Sequence, residues 1–161
     1  MRMTHVFSSL ELAILAAIRN RPQSGYELRK VLSSSPLSLG DSPGAVYPAL
    51  RRLAGQGLIE SVEDQASARA KQTFHLTAAG KRAVHAAAAA PITAEEVATD
   101  PDRLLLRAAL LDEPAQRAFL KEYARATADR AAELRDDRSL LGEYSAALYT
   151  ARSKWATRRR N

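Results

Sequence analysis

Residues 42–60 constrain the fold of this chain more than any other segment, because they combine a helix start, an amphipathic helix and a helix stop. Ser42 is a favourable N-cap residue, and Pro43 suits the first position of a helix. Apolar side chains then recur at helical spacing over residues 46–53, which predicts one buried face. The helix is expected to end near residues 55–57, where an apolar run begins that suits a strand.

The opposite face of this predicted helix carries small, aromatic and cationic groups. Gly44, Tyr47 and Arg51 lie on it, with Arg52 on its flank, and Pro48 should bend or tighten the helix start. Tyrosine can donate to a phosphate, and arginine can bind a phosphate or pair with guanine through two hydrogen bonds. The plainer interpretation is a solvent-exposed helix face, whereas the mixture of groups favours a helix that enters a DNA major groove.

Two capped helices are predicted before this segment. Ser8 with Glu11 and Ser24 with Glu27 have the spacing of capping boxes, in which each residue caps the other's backbone amide. A serine-rich loop over residues 33–41 then leads into the third helix. Three helices joined in this way have the order of a helix-turn-helix.

A β-hairpin is predicted after the third helix. Residues 58–63 and 72–76 have the composition of short strands around a polar loop, and a further helix extends to about residue 90. A hairpin beside three helices is a wing, and it gives the Tyr47 and Arg51 face the context that DNA binding needs.

Two other places carry groups that suit a nucleic acid. Gly25 and Tyr26 begin the second helix and offer free amides and a hydroxyl to a phosphate, although Tyr26 could equally pack in the core. Arg69 and Lys71 lie in the wing and could contact the DNA backbone or minor groove, but two cations in a polar loop are also ordinary.

The C-terminal part, residues 91–161, is predicted to be helical after a loop over residues 92–100. Two stretches repeat apolar or small residues at alternating spacings of three and four, namely Leu120, Ala124, Thr127, Ala131 and Leu134, then Leu141, Tyr144, Leu148, Ala151 and Trp155. This spacing is typical of helices that pack side by side. It predicts an antiparallel pair with surface left for a partner.

Charge and composition narrow the function further. Residues 1–90 contain 11 Lys and Arg against 6 Asp and Glu, whereas residues 91–161 contain 13 against 12, so the basic excess lies in the first part and could attract a polyanion. The sequence has no cysteine, which excludes disulfides and zinc-finger thiolates. No apolar run approaches the roughly 20 residues that span a bilayer, so we expect a cytoplasmic protein with no membrane partner.

Catalytic patterns are missing from the sequence. His5, His75 and His85 lack the spacing of metal ligands, and no nucleophile elbow or phosphate-binding loop occurs. We therefore expect no enzyme activity, cofactor or metal. The C-terminal aromatic residues could line a ligand pocket, but helix-packing core is the simpler interpretation.

The order of these motifs resembles that of the PadR family of bacterial transcriptional regulators. The motifs are SGYEL at residues 24–28, SPGAVYPALRRL at 42–53, GLI at 57–59 and LTAAG at 76–80. The C-terminal half is similar to the longer subgroup of the family through LLL at 104–106, Tyr149 and Trp155. The resemblance implies a winged helix-turn-helix homodimer, joined through its C-terminal helices, that represses by covering a promoter and is released in many members by a small, often aromatic, effector.

The expected fold class is mainly α, with an α+β winged helix-turn-helix over residues 1–90 and an all-helical dimerisation domain over residues 91–161. The resemblance places the contacts of the third helix at Ser42, Gly44, Tyr47 and Arg51 and those of the wing at Arg69 and Lys71. The full set predicted to bind DNA is Gly25, Tyr26, Ser42, Pro43, Gly44, Ala45, Tyr47, Arg51, Arg52, Arg69 and Lys71. The set predicted for dimerisation is Leu120, Tyr123, Leu134, Leu141, Tyr144, Leu148 and Trp155, and that for an effector is Leu104, Tyr144 and Trp155.

These observations predict a sequence-specific DNA-binding transcriptional regulator, acting as a dimeric repressor on an inverted-repeat operator. Its partners would be double-stranded DNA, a second copy of the chain and a small aromatic effector. The alternative is a protein-interaction adaptor that uses the winged fold to dock a partner chain.

Overall fold

A computed structural model of the protein describes residues 6–34, 43–64 and 71–159. The chain divides into two units, Met1–Ala88 and Ala89–Asn161. The N-terminal unit contains α1 (Ser9–Asn20), α2 (Gly25–Ser33), a 3-10 turn (Pro43–Ala45), α3 (Val46–Gly55), β1 (Ile59–Asp64), β2 (Lys71–Leu76) and α4 (Ala78–Ala88). The C-terminal unit contains α5 (Ala94–Thr99), α6 (Pro101–Ala108), α7 (Glu113–Glu133) and α8 (Leu140–Arg159).

Both predicted capping boxes are confirmed. At the start of α1, the Ser8 hydroxyl accepts from the Glu11 amide at 3.2 Å, and the Glu11 carboxylate accepts from the Ser8 amide at 2.9 Å. Ser24 and Glu27 exchange the same pair of bonds at the start of α2, at 3.3 and 2.8 Å. Because each cap satisfies amides that a helix start leaves unpaired, each contributes about 1 kcal/mol to the stability of its helix.

The third helix begins later than expected. Pro43 occupies the first helical position, as predicted, but the turn that it begins is a 3-10 turn, and α3 itself starts at Val46. The predicted cap Ser42 lies outside the described residues. Pro48 is the third residue of α3, a position whose amide has no acceptor within any helix, so the ring is tolerated there. The tightened start confirms the effect expected of Pro48.

The end of α3 is a Schellman motif. The Leu58 amide donates to the Leu53 carbonyl at 3.0 Å, and the Gly57 amide donates to the Ala54 carbonyl at 2.9 Å. Gly57 has a φ of 68°, a left-handed conformation that a side chain would strain. The chain then enters β1 at Ile59, one residue later than predicted, and pairs antiparallel with β2.

The core of the N-terminal unit lies among α1, α2, α3 and the hairpin. Its most deeply buried side chains include Ile14 and Leu15 of α1, Leu28 of α2 and Leu53 of α3. The connection between α1 and α2 adds a short bridge to the hairpin, where the Phe74 amide donates to a Gln23 carbonyl. Three helices with a two-stranded wing confirm the predicted winged helix-turn-helix.

The connection from the wing to α4 is packed backbone against backbone. Thr77 caps α4 by accepting from the Gly80 amide at 2.9 Å, and its hydroxyl donates to the Gly57 carbonyl at 2.6 Å. A Cβ atom on Gly80 would lie 1.9 Å from the Leu58 carbonyl oxygen. Only glycine therefore fits at position 80.

The C-terminal unit is entirely helical in its described residues, and α7 and α8 form the predicted antiparallel pair. The Ser153 hydroxyl of α8 donates to the Ala124 carbonyl of α7 at 2.8 Å. The loop predicted over residues 92–100 is wrong, because α5 occupies most of it behind a capping box of Thr93 and Glu96. Asp100 then caps α6, and Asp112 caps α7.

The stripe predicted to pack along α8 is displaced by one residue. Gly142, Tyr149 and Ala156 are buried, whereas Leu141, which is 74 % exposed, begins a stripe that faces outward. We call the outward residues Leu141, Tyr144, Leu148, Ala151 and Trp155 the outer stripe of α8. One residue turns a helix by about 100°, so the predicted spacing was right but its direction was wrong.

Candidate nucleic-acid interface

The two faces of α3 differ as the sequence predicts. Val46, Leu50 and Leu53 are buried in the core of the N-terminal unit. On the other side, Tyr47 is 44 % exposed and Arg51 is exposed. The buried face holds the helix in place, so the side chains that point outward are presented on a fixed support.

Gly25 and Tyr47 are in close contact, which the sequence did not indicate. Gly25, the first residue of α2, is buried, and a Cβ atom at this position would lie 2.7 Å from Cε1 of the Tyr47 ring. The absence of a side chain therefore lets the Tyr47 ring rest against the N-terminus of α2. Tyr26 is 62 % exposed, which contradicts the alternative that it packs in the core.

Arg29 belongs to this surface although sequence reasoning missed it. Its guanidinium carbon lies 5.8 Å from the centre of the Tyr26 ring, in the geometry of a cation–π contact. Arg29 follows Tyr26 by three residues, so helical spacing was the signal that could have found it. We call Gly25, Tyr26, Arg29, Tyr47 and Arg51 the α2–α3 face.

The two consecutive arginines of α3 have different surroundings. Arg52 donates from Nε to the Glu11 carboxylate at 3.3 Å, and Glu11 also caps α1. Arg52 is thus held to α1, although its side chain is 56 % exposed. Among the residues that the structure describes, none hydrogen-bonds or ion-pairs with the Arg51 guanidinium. Of these two arginines, Arg51 is therefore the one whose charge no described residue pairs.

The remaining residues predicted to contact DNA are only partly visible. Ser42 and Arg69 lie outside the described residues, and for Pro43 and Lys71 the structure describes the backbone alone. Gly44 is exposed and Ala45 half-buried, next to the start of α3. Their roles, like those of the α2–α3 face, stay predictions.

The residues predicted for dimerisation separate into two groups. Leu120 and Tyr123 are buried inside the C-terminal unit, so they offer a partner no surface, and Leu134 is half-buried. We therefore correct the prediction for Leu120 and Tyr123. The members on α8, namely Leu141, Tyr144, Leu148 and Trp155, lie on the outer stripe and are exposed.

Burial also governs the chemistry of Tyr123. Its hydroxyl has no hydrogen-bond partner among the described residues. Removal from water raises the pKa of Tyr123 from 10.0 to about 12, and the nearby guanidinium of Arg152 opposes that shift only in part. Tyr123 is a neutral core residue rather than an interface or acid–base group.

The predicted effector residues are not brought together. Leu104 is fully buried, whereas Tyr144 and Trp155 are exposed on the outer stripe. Eleven residues of helix separate the two aromatic side chains, or about 16 Å along the axis. Within one chain, these three side chains therefore do not line a common site. A groove of about 320 Å³ lies elsewhere, between α5 and α7, and its lining includes Val97, Arg125 and Arg130.

The described residues offer neither a membrane span nor a metal site. None of the described helices is both long and apolar enough to cross a bilayer. Within the same residues, no group of three or more His, Asp or Glu side chains could hold a metal ion.

Three helices, a two-stranded wing and an exposed cationic and aromatic helix face define a winged helix-turn-helix domain of the DNA-binding class. Residues 14–86 match the model of the transcriptional regulator PadR-like family. The N-terminal part of the chain therefore matches the PadR-like family of transcriptional regulators. Both the family and the fold are those of regulators rather than enzymes. No curated protein matches the chain.

Several solved structures are similar to this chain at low sequence identity. A mutant of Lactococcus lactis ZitR is 24 % identical over 64 % of this chain, with a TM-score of 0.42, and this chain spans only 59 % of the ZitR chain. Bacillus subtilis PadR in complex with operator DNA is 20 % identical, with a TM-score of 0.44 and coverage of 94 % of this chain and 97 % of that one. The PadR-like regulator BC1756 from Bacillus cereus is 17 % identical, with a TM-score of 0.48 and coverage of 99 % and 98 %.

Proposed function

We propose that this protein binds an inverted-repeat operator as a homodimer and represses transcription from the promoter it covers. The observation that supports this function best is the α2–α3 face. On that face Tyr47 and Arg51 point outward from a helix whose other side forms the core of a winged unit. In this proposal α3 enters the major groove, and α2 lies against the phosphate backbone beside it.

Each group of the face has a chemical role in the proposal. Arg51 binds guanine through two hydrogen bonds or neutralises a phosphate, and the Tyr47 hydroxyl donates to a phosphate. Within the described residues, the Gly25 and Tyr26 amides have no acceptor, because the Ser24 hydroxyl accepts from the Glu27 amide further along. Two unpaired amides at a helix N-terminus suit a phosphate oxygen. Arg29 adds a cation next to them.

The two arginines of α3 give a matched test of this face. We expect Arg51→Ala to weaken binding roughly ten- to a hundredfold, as loss of a charged hydrogen bond does. Arg52→Ala removes the neighbouring cation but mainly breaks its pair with Glu11, so we expect a several-fold loss at most. Binding is measured by fluorescence anisotropy at fixed salt, on a duplex that the protein selects from a random pool.

The salt dependence separates the roles of Arg51. If it contacts a phosphate, the slope of log Kd against log salt should fall by about one in Arg51→Ala. If it pairs with a base, the slope should stay and discrimination at one operator position should relax. Equal losses in both arginine variants would contradict the role given to Arg51. A protein that selects no duplex, yet captures a protein partner independently of salt, would be an adaptor instead.

Homodimerisation is proposed to use the outer stripe of α8. Large apolar side chains exposed along one helix mark an interaction surface, and a two-fold axis would bring the stripe against its own copy. The symmetry would place the two α3 helices about 34 Å apart, one helical turn of DNA. We expect Leu148→Glu to convert the dimer to monomer in sedimentation experiments. Thr150→Glu, on the opposite side of α8, is the control and should remain dimeric.

A small aromatic effector is proposed to release the operator, as the resemblance to the family suggests. The groove between α5 and α7 has a volume within the range of small-molecule sites. The test titrates aromatic acids into the protein–operator complex and follows both anisotropy and the fluorescence of Trp155, the single tryptophan. Release without a change in Trp155 fluorescence would exclude a route through the outer stripe.

A further inference from the structure

Arg107 is the one charged side chain buried among the described residues. It lies on α6, is 4 % exposed, and lies over the Phe119 ring of α7 at 5.3 Å from the ring centre. Its guanidinium pairs with the Glu96 carboxylate of α5 at 2.8 Å. The same group donates to the carbonyl of Ala90 and, at 3.5 Å, to that of Pro91. One side chain therefore joins three helices to the first residues of the C-terminal unit.

These contacts continue to α8. The Tyr149 hydroxyl of α8 donates to the Val97 carbonyl at the end of α5, at 2.7 Å. Glu96, next to Val97, both pairs with Arg107 and closes the capping box of α5. Tyr149, α5, Glu96 and Arg107 thus form one connected set within the C-terminal unit, which we call the Arg107 network. It runs from the helix of the outer stripe to Ala90.

Ala90, at one end of the Arg107 network, lies close to the boundary between the two units of the chain. Ala88 ends α4, the last helix of the N-terminal unit, and Ala90 follows two residues later. The network therefore holds the segment by which the winged unit is attached. In a dimer built on α8, it would connect each point of attachment to the dimerisation helix through side-chain bonds.

Stability alone does not account for a buried arginine here. The Nε of Arg107 has no partner in the described residues, and a buried unpaired donor is costly. Apolar residues often replace buried ion pairs without loss of stability. An arginine that joins two backbone carbonyls to a carboxylate does, however, specify where the connecting segment lies.

We infer that Arg107 is a positioning residue that sets the separation of the two DNA-binding units, and hence the half-site spacing the dimer accepts. The inference rests on the proposed operator-binding dimer. Methionine at position 107 fills the space of the arginine but cannot make its bonds to Glu96, Ala90 and Pro91. The segment around Ala90 is then no longer held by this side chain, while the core stays packed. The dimer should then tolerate operators whose half-sites are shifted.

The first test compares Kd on the selected operator with Kd on the same operator lengthened by one base pair. We divide the Kd on the lengthened operator by the Kd on the selected operator. This ratio should be about tenfold smaller in Arg107→Met than in the wild type, because tenfold is a typical coupling between sites. Affinity for an isolated half-site should be unchanged. Tyr149→Phe breaks the network at its other end and should change the ratio in the same direction. Arg117→Met, at an exposed arginine of α7 outside the groove, is the control and should keep the wild-type ratio.

The second test needs no DNA. The sequence lacks cysteine, so Arg82→Cys on α4 allows one spin label per chain and one distance per dimer. We expect Arg107→Met and Tyr149→Phe to broaden the distance distribution and Arg117→Met to leave it unchanged. If Arg107→Met does not fold, the distance distribution and the Kd ratio of Tyr149→Phe test the inference instead. Wild-type distributions and ratios in the folded variants overturn the inference, whereas a wild-type protein that is monomeric or selects no operator overturns the proposed function itself.

Discussion

Gly25→Ala is expected to impair DNA binding by displacing the side chain of Tyr47. Gly25 has no positive φ, so its backbone does not require glycine, and alanine is the better helix former. The added Cβ atom would, however, lie 2.7 Å from Cε1 of Tyr47 and 3.4 Å from Cδ1 and Cζ. The ring must move because carbon atoms in contact prefer a separation of about 3.5–4.0 Å.

The size of this effect follows from the displacement. To restore an ordinary contact, the Tyr47 ring has to shift by roughly 1 Å, which is enough to break a hydrogen bond from its hydroxyl. A hydrogen bond to a charged group such as phosphate contributes about 1.5–3 kcal/mol. We therefore expect Gly25→Ala to weaken operator binding roughly ten- to a hundredfold. The free energy of unfolding should stay within about 1 kcal/mol of wild type.

A double-mutant cycle isolates this cause. In a Tyr47→Ala protein the ring is absent, so adding Gly25→Ala should cost no further affinity. Anisotropy on one duplex at one salt concentration gives all four Kd values, and circular dichroism confirms that each variant is folded. The reasoning is refuted if Gly25→Ala binds as wild type does, or if it weakens binding equally with and without the Tyr47 ring.

Two further predictions concern stability. Gly80→Ala puts a Cβ atom 1.9 Å from a backbone oxygen, so thermal melting should show that the free energy of unfolding falls by about 3 kcal/mol or more. Gly55→Ala is the control, because a Cβ atom there has nothing within 4 Å, and its free energy of unfolding should change little. For Tyr123, burial raises the pKa to about 12. Its neutral form stabilises the wild type below pH 10, and the free energy of unfolding should fall, by up to about 3 kcal/mol, as pH rises towards 12. The free energies of unfolding of wild type and Tyr123→Phe are compared at pH 8 and 11, and the variant should lack the fall that Tyr123 causes. An equal pH dependence in wild type and variant would show that the Tyr123 hydroxyl is not buried.

Local patterns in the sequence predicted the elements of the N-terminal unit well. Both capping boxes, the end of α3 near Gly57 and the hairpin depend on neighbouring residues, so their signals lie within a few positions of each other. The buried face of α3 was predictable because it obeys one period. α5 was missed because it has only six residues, too few for a period to emerge, although Thr93 and Glu96 had the spacing of a capping box.

Contacts between distant residues were not predictable from the sequence. The pair of Arg52 with Glu11 joins positions 41 residues apart, and no local pattern separates this arginine from Arg51 beside it. The contact of Gly25 with Tyr47 likewise depends on how α2 meets α3. Those two contacts decide which groups of the candidate site are free and how they are oriented, so the composition of the face could be predicted but not its geometry.

The outer stripe of α8 shows how this limit bears on function. The sequence offers two interleaved stripes at spacings of three and four, one through Leu141, Tyr144 and Leu148 and one through Gly142 and Tyr149. Hydrophobicity favours the first stripe, yet the second faces the interior, where the Tyr149 hydroxyl donates to a carbonyl of α5. The more apolar stripe is thereby left exposed. In the proposed dimer, a second copy of the chain would cover the stripe of α8 that one chain leaves exposed.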